Sequence, residues 1–179
     1  MGKRAKSNLN SLKAMHELVR LSYLPNLRNS TFTYESKATK NYNCAAWAIA
    51  IINKAISHDH PYNWDPKVPR TQHINSYIKY YENRGFGLCN SGKYEKGIEK
   101  IVLYSDEYKE WQHVAFQLNK KKWACKMGNW EDIYHNDVHC LCGGMYGSTL
   151  TYMSRKFTWK RKIKRLAKLW WIKILSMKS

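Results

Sequence analysis

Apolar positions recur along this chain at two rhythms, one of three to four residues and one of two, and each predicts a different element. Leu12, Met15, Leu18 and Val19 fall at helical spacing and predict a short amphipathic helix stopped by Pro25. Residues 26–43, rich in Asn, Ser and Thr, read as a wrapping loop in which Thr31-Phe32-Thr33-Tyr34 is extended. From Cys44 a helix is predicted to about Ser57. Ala45, Ile49, Ile52 and Ile56 form one stripe, and Trp47, Ala48 and Ile51 cover much of the rest. A helix apolar nearly all round belongs at the centre of a domain. The stretch His58–Pro69, with three prolines and Trp64, predicts an irregular loop, and a second helix follows over Gln72–Asn83, closed by Gly85.

Beyond Gly85 the rhythm shortens to two. Lys100–Tyr104, His113–Leu118 and Trp123–Met127 read as strands, with Thr149–Met153 as a last one. Asn119-Lys120-Lys121-Lys122 suits a four-residue hairpin loop, which pairs Leu118 with Trp123 and sets His113 opposite Gly128. In that register His113, Ala115 and Gln117 share a face with Ala124 and Lys126, and the small Ala115 lets the Cys44 helix approach them. A slip of one residue would reverse the faces. A helix followed by a meander predicts an α+β domain, with the Cys-bearing helix packed centrally on an antiparallel sheet. Helical spacing returns over residues 157–175, where Trp159, Ile163, Leu166, Trp170 and Ile174 form a stripe opposite Lys160, Arg161, Lys162, Lys164, Arg165 and Lys168.

Charge changes the picture. The chain of 179 residues carries 31 Lys and Arg against 13 Asp and Glu, a formal +18, and Ser154–Ser179 holds ten of those bases and no acid. Such a balance points to an acidic partner. The basic C-terminal helix, with Lys160, Arg161, Lys164, Arg165 and Lys168 beside Trp170 and Trp171, suits an anionic membrane surface or nucleic acid, and a regulatory protein partner is a further expectation. Five cysteines without framework spacing, and no secretory leader, predict a cytoplasmic protein with reduced thiols, peripheral to a membrane if the tail binds one. No stretch of eighteen apolar residues predicts a spanning helix, and Lys6 stands where a myristoylation signal wants Ser or Thr.

The candidate chemistry centres on Cys44, at a helix start whose partial positive charge favours a thiolate. His113, at a strand start, is the candidate base, and Asn129 or Asp132, on a turn past the hairpin, could orient its ring. Lys126 could hold an anionic substrate group or assist helix-start amides at an oxyanion. His135, His139, Cys140 and Cys142 form a competing metal-capable cluster, but Cys140-x-Cys142 is a weak spacing and there is no second cysteine pair. A structural role is expected there, and no cofactor.

The string Tyr42-Asn43-Cys44-Ala45-Ala46-Trp47-Ala48 resembles the Y-N-C-x-A-W-A signature of an uncharacterised bacterial family. Further pieces follow in order: Gly85-Phe86 and Cys89, Glu99–Tyr104, His113-Val114-Ala115, Trp123 with Lys126 and Gly128, Glu131-Asp132-Ile133, His135, Gly144 and Tyr146-Gly147. That family resembles papain-like and NlpC-type cysteine peptidases. The resemblance implies a papain-like fold over residues 22–155, flanked by a basic extension (1–21) and the amphipathic helix (156–179). It implies Cys44 as nucleophile, His113 as base and Asp132, Asn129 or His135 as orienter, with Lys126, Trp47 and Gln112 on the substrate side. Cys125 and Gln112 depart from the Ser and Thr expected at their positions. The leading expectation is a cysteine-dependent peptidase or amidase acting on a peptide or protein amide, of the kind used as a toxin or defence effector. The alternatives are a membrane-associated thioester acyltransferase or lipid hydrolase, and a non-catalytic basic module that binds nucleic acid or an acidic protein.

Overall fold

The computed structural model describes residues 22–28 and 30–158, together with Ile163 and Ala167. Seven strands form one sheet: β1 (Phe32–Tyr34), β2 (Gly87–Cys89), β3 (Ile98–Ser105), β4 (Trp111–Asn119), β5 (Lys122–Lys126), β6 (Asp132–His135) and β7 (Thr149–Lys156). Their spatial order is β1-β6-β5-β4-β3-β7-β2, and every neighbouring pair is antiparallel. The described helices are short. α1 (Pro25–Arg28) and α2 (Cys44–Trp47) are single turns, and α3 (Ile74–Glu82) is the longest.

The central strands are apolar on both faces because both are covered. On the first face Ile101, Leu103, Val114, Phe116, Ala124 and Met153 pack with α2, with Tyr77, Tyr80 and Tyr81 of α3, and with Trp111. On the second, Val102, Tyr104, Ala115, Trp123, Cys125 and Ile133 pack with Leu24, Leu27, Val138, Leu141 and Tyr146. The helix α3 lies within its predicted bounds, and its buried Ile74, Tyr77 and Tyr81 recur at steps of three and four. Tyr77 stacks on Trp111 with ring centroids 3.8 Å apart, which fixes α3 against the start of β4.

Two expectations fail. The architecture is an antiparallel seven-stranded sheet with a few short helices, not a central helix on a sheet in a papain-like arrangement. The helix predicted from Cys44 to Ser57 ends after one turn. Ala50 takes φ +59°, a left-handed conformation that breaks the helix, and the Ile51 amide turns back to the Ala46 carbonyl. Asn43 holds the resulting excursion closed. Its side-chain oxygen accepts from the Ala46 and Ile56 amides, and its Nδ2 donates to the Ile56 carbonyl at 2.7 Å. An apolar run without a period is compatible with such a buried excursion as well as with a helix.

The β4–β5 hairpin has a different register from the expected one. Gln117 pairs with Trp123 and Phe116 with Ala124, while Asn119 pairs with Lys122, so Leu118 is bulged. Below the bulge the pairing is one residue out of step with the prediction. That step moves Ala124 and Lys126 to the face of Val114 and Phe116.

Candidate functional site

Cys44 begins α2 and packs in the first-face core beside Val114 and Phe116. Burial pushes its thiol up to about 12, although the backbone of Val114 and its own helix turn, and the charge of Lys126, pull the other way. A helix of four residues has little aligned dipole to offer a thiolate. Its later amides are occupied, Ala46 donating to Asn43 Oδ1 and Trp47 to the Asn43 carbonyl, while those of Cys44 and Ala45 favour the thiolate without offsetting burial. Burial of this kind disfavours the thiolate that a nucleophile needs.

His113 is not its base in this arrangement. It pairs with Tyr104 across β3 on the second face, where its ring stacks on Tyr146 at 3.9 Å and 9°. Burial pushes the imidazole down to about 3, with a further push from His135, so it is neutral throughout the physiological range. Neither ring nitrogen has a hydrogen-bond partner among the described residues, the Cys44 sulfur included. His113 and Lys126, expected on one face, lie on opposite ones: Lys126 goes with Cys44, and His113 faces away.

What does gather near Cys44 is a polar network between β5, β6 and the loop before α2. Lys126 and Asp132 are cross-strand partners, and both are fully buried. Lys126 Nζ donates to the Trp130 carbonyl and stands 5.5 Å from the centroid of the Tyr42 ring. Tyr42 donates its hydroxyl to Asp132 Oδ2 at 2.6 Å, and the Asp132 amide donates to Ser36 Oγ at 2.9 Å. Burial pushes the Asp132 carboxyl up, against the Tyr42 hydrogen bond and the Lys126 charge; burial pushes the Lys126 ammonium down, against Asp132 and Glu131. Tyr42 was read in the sequence only as part of a signature. Its role as the donor that satisfies a buried carboxylate has no sequence signal apart from its place beside Cys44.

The other predicted site residues lie apart. Asp132 cannot orient His113, because it belongs to this first-face network. Asn129 is exposed on the β5–β6 turn. His135 is buried near His113, with Nδ1 against the Asp137 carbonyl at 2.8 Å, which leaves Nε2 as the lone-pair nitrogen of a ring pushed down to about 4 by burial. Trp47 is core, edge-on to Phe116 at 5.6 Å, so it does not face a substrate. Gln112 braces the β3–β4 turn through Asp106 Oδ2 at 2.9 Å. His139 and Cys142 approach to 3.9 Å and Cys140 is buried nearby, but among the described residues no three His, Cys, Asp or Glu side chains form a group that could hold a metal. The basic stripe Lys160, Arg161, Lys164, Arg165 and Lys168 with Trp170 and Trp171 falls outside the described residues, as does the extension 1–21.

Residues 33–154 match the family described as Domain of unknown function (DUF7689). The chain belongs to that family. The match spans the sheet from β1 to β7 and includes every residue of the Tyr42 network, but nothing in it links DUF7689 to papain-like or NlpC-type peptidases. No curated protein and no solved structure matches the chain. Among the described residues no helix is long and apolar enough to cross a membrane.

Proposed function

We propose that this DUF7689 protein is a non-catalytic basic module whose partner is a nucleic acid. One observation carries the reading: residues 1–21 and 159–179 hold thirteen Lys and Arg against one acid, which accounts for +12 of the +18. Charge concentrated in two flanking segments is the electrostatic footprint of polyanion binding, and each phosphate it neutralises releases a counterion. The closed domain between them supports a scaffold role. Its candidate nucleophile and base are both buried and on opposite faces, and burial pushes the Cys44 thiol up and the His113 imidazole down. Ile163, in the apolar stripe of the C-terminal segment, is 54% exposed.

The test compares the full chain with its Cys44→Ala variant in fluorescence anisotropy with labelled oligonucleotides across a salt series. The expected result is equal affinity for both, falling steeply as salt rises. Oligonucleotide affinity that is weak and flat in salt would overturn the reading.

A second reading, a cysteine-dependent peptidase or amidase, is supported by one feature of the first face. Lys126 and Asp132 share it with Cys44, and Asp132 Oδ1 has no hydrogen-bond partner among the described residues. Buried, perturbed charges beside a helix-start cysteine are more common at functional sites than elsewhere. Hydrolysis of a peptide library that disappears in Cys44→Ala would favour this reading over the first.

A further inference from the structure

The sheet is electrically lopsided along its strands. Its antiparallel register brings together the start of β3, the β4–β5 hairpin tip and the end of β7, since Ile98 pairs with Lys156 and β4 meets β5 at Asn119 and Lys122. Exposed Lys120, Lys121 and Lys122 form the hairpin tip. Exposed Lys93 and Lys96 lie on the loop that leads into β3, and Lys156 closes β7. Acids at this end are engaged: Glu95 with Lys100 at 2.6 Å, Glu99 with Arg155 at 2.5 Å, and exposed Asp137, just past the end of β6, accepts from the His139 amide through Oδ1 at 3.0 Å. The opposite end, made by the β3–β4 and β5–β6 turns and the segment that follows β1, carries Glu35, Asp106, Glu107, Glu110, Glu131 and buried Asp132 against Lys37, Lys109 and buried Lys126.

The loop into β3 is held in place at the basic end. Gln117 Nε2 donates to the Gly92 carbonyl at 2.8 Å, and Lys100 Nζ donates to the Ser91 carbonyl at 3.0 Å. Gly92 lies so close to the Tyr152 and Trp123 rings that an added Cβ would stand 2.8 Å from the first and 3.1 Å from the second, so only glycine fits the approach. This loop presents Tyr94, 40% exposed, between Lys93 and Lys96. From the same end the chain continues past Phe157, whose amide donates to the Gly97 carbonyl at 2.7 Å, into the segment with eight Lys and Arg and no acid.

We propose that this end of the sheet is a single-strand nucleic-acid surface, on which Lys93, Lys96 and Lys120–Lys122 follow the phosphates and Tyr94 stacks on a base. The inference rests on the nucleic-acid reading above and gives it an address on the folded domain. A row of ammonium groups with one exposed aromatic ring among them is the combination that sequence-tolerant strand binding uses, since every base offers a π-face. The acidic opposite end sets the orientation, because a phosphate backbone laid there would meet the carboxylates of Asp106, Glu107, Glu110 and Glu131.

The test uses the full chain and a fluorescein-labelled 20-nucleotide oligo-dT, with a duplex of equal length and phosphatidylserine vesicles as parallel probes. The wild type should bind the single strand with a strongly salt-dependent affinity. Lys120→Gln/Lys121→Gln/Lys122→Gln, all on an exposed turn, should weaken binding and reduce the slope of log K against log salt by about 2, the share of three single-strand phosphates. Tyr94→Ala should weaken it about tenfold and Tyr94→Phe restore it. Lys109→Gln, at the acidic end, should leave the slope unchanged. A wild type that binds while the triple variant keeps its slope would overturn this surface and leave the nucleic-acid reading standing. A wild type that ignores oligonucleotides, or that binds only the vesicles, would overturn both. Stronger binding of the duplex, with Tyr94→Ala unaffected, would overturn the single-strand assignment.

Discussion

On one face of the sheet, Asp132 and Lys126 are buried among partners: a tyrosine hydroxyl, a backbone carbonyl and each other's field. On the other, His113 and His135 are buried among aromatic rings and thiols, with three of their four ring nitrogens unpartnered among the described residues. The first solution keeps ionisable groups by hydrogen-bonding them, and the second tolerates them by holding them neutral. The contrast shows why a cysteine near a helix start and a histidine near a strand start do not make a dyad here. A dyad needs one face, and β4 separates these two residues onto different ones.

The difference between the faces should be largest in acid. His113 and His135 have folded-state values of about 3 and about 4, below the ordinary 6.5, so the unfolded chain binds more protons between those limits. Their contribution to stability is complete above pH 6.5 and is lost as pH falls toward 4. The combined slope is about 2.7 kcal/mol per pH unit where both titrate. Asp132, pushed up by burial, acts in the opposite sense, nearer the carboxylate range. Urea denaturation between pH 7.5 and 4.5 measures the slope, and His113→Phe, which keeps a ring on Tyr146, should roughly halve it. A slope untouched by that substitution would mean the second face is not the acid-labile one.

Removing the carboxylate from the first face comes next in size. Asp132→Ala leaves the Tyr42 hydroxyl and the Lys126 ammonium buried without it, and should cost about 3 kcal/mol in denaturant titrations at pH 7. Asp132→Asn, which can still accept from Tyr42, should cost less. Equal losses would show that the charge, rather than the hydrogen bond, is what the network requires.

The smallest effect is on stability but bears most on chemistry. With its thiol near 12 rather than an ordinary 8.5, Cys44 has a thiolate fraction at pH 7.5 lower by roughly a thousandfold. Under a maleimide probe read by mass spectrometry, half-buried Cys89 should label first and Cys44 no faster than the buried Cys125. Preferential labelling of Cys44 would restore it as a nucleophile despite its burial on the first face.

How much of this was legible depends on the length scale of the signal. The helix α3 and the strands β3, β4, β5 and β7 lie close to their expected positions because their apolar periods run for five residues or more. The strands β2 and β6, of three and four residues, carry too little pattern to be distinguished from turns, and Asp132, expected on a turn past the hairpin, begins β6. Site geometry was less legible still. A single bulged residue, Leu118, decides which side of the sheet receives Lys126, and no local composition marks that residue as bulged. The truncation near Ala50 was equally hidden, since alanine is a strong helix former and nothing in its local sequence marks the positive φ it adopts.

The Asn43 clamp makes residues 44–56 a cassette. One carboxamide fastens both ends of the excursion, so the backbone between Ile51 and Ala55 can change length without disturbing the core turn that carries Cys44. Lengthening a closed loop from thirteen residues to seventeen costs only about 0.2 kcal/mol in chain entropy. Replacing Asn43 by aspartate would be the more disruptive edit, because a carboxylate cannot donate to the Ile56 carbonyl and would repel it at 2.7 Å.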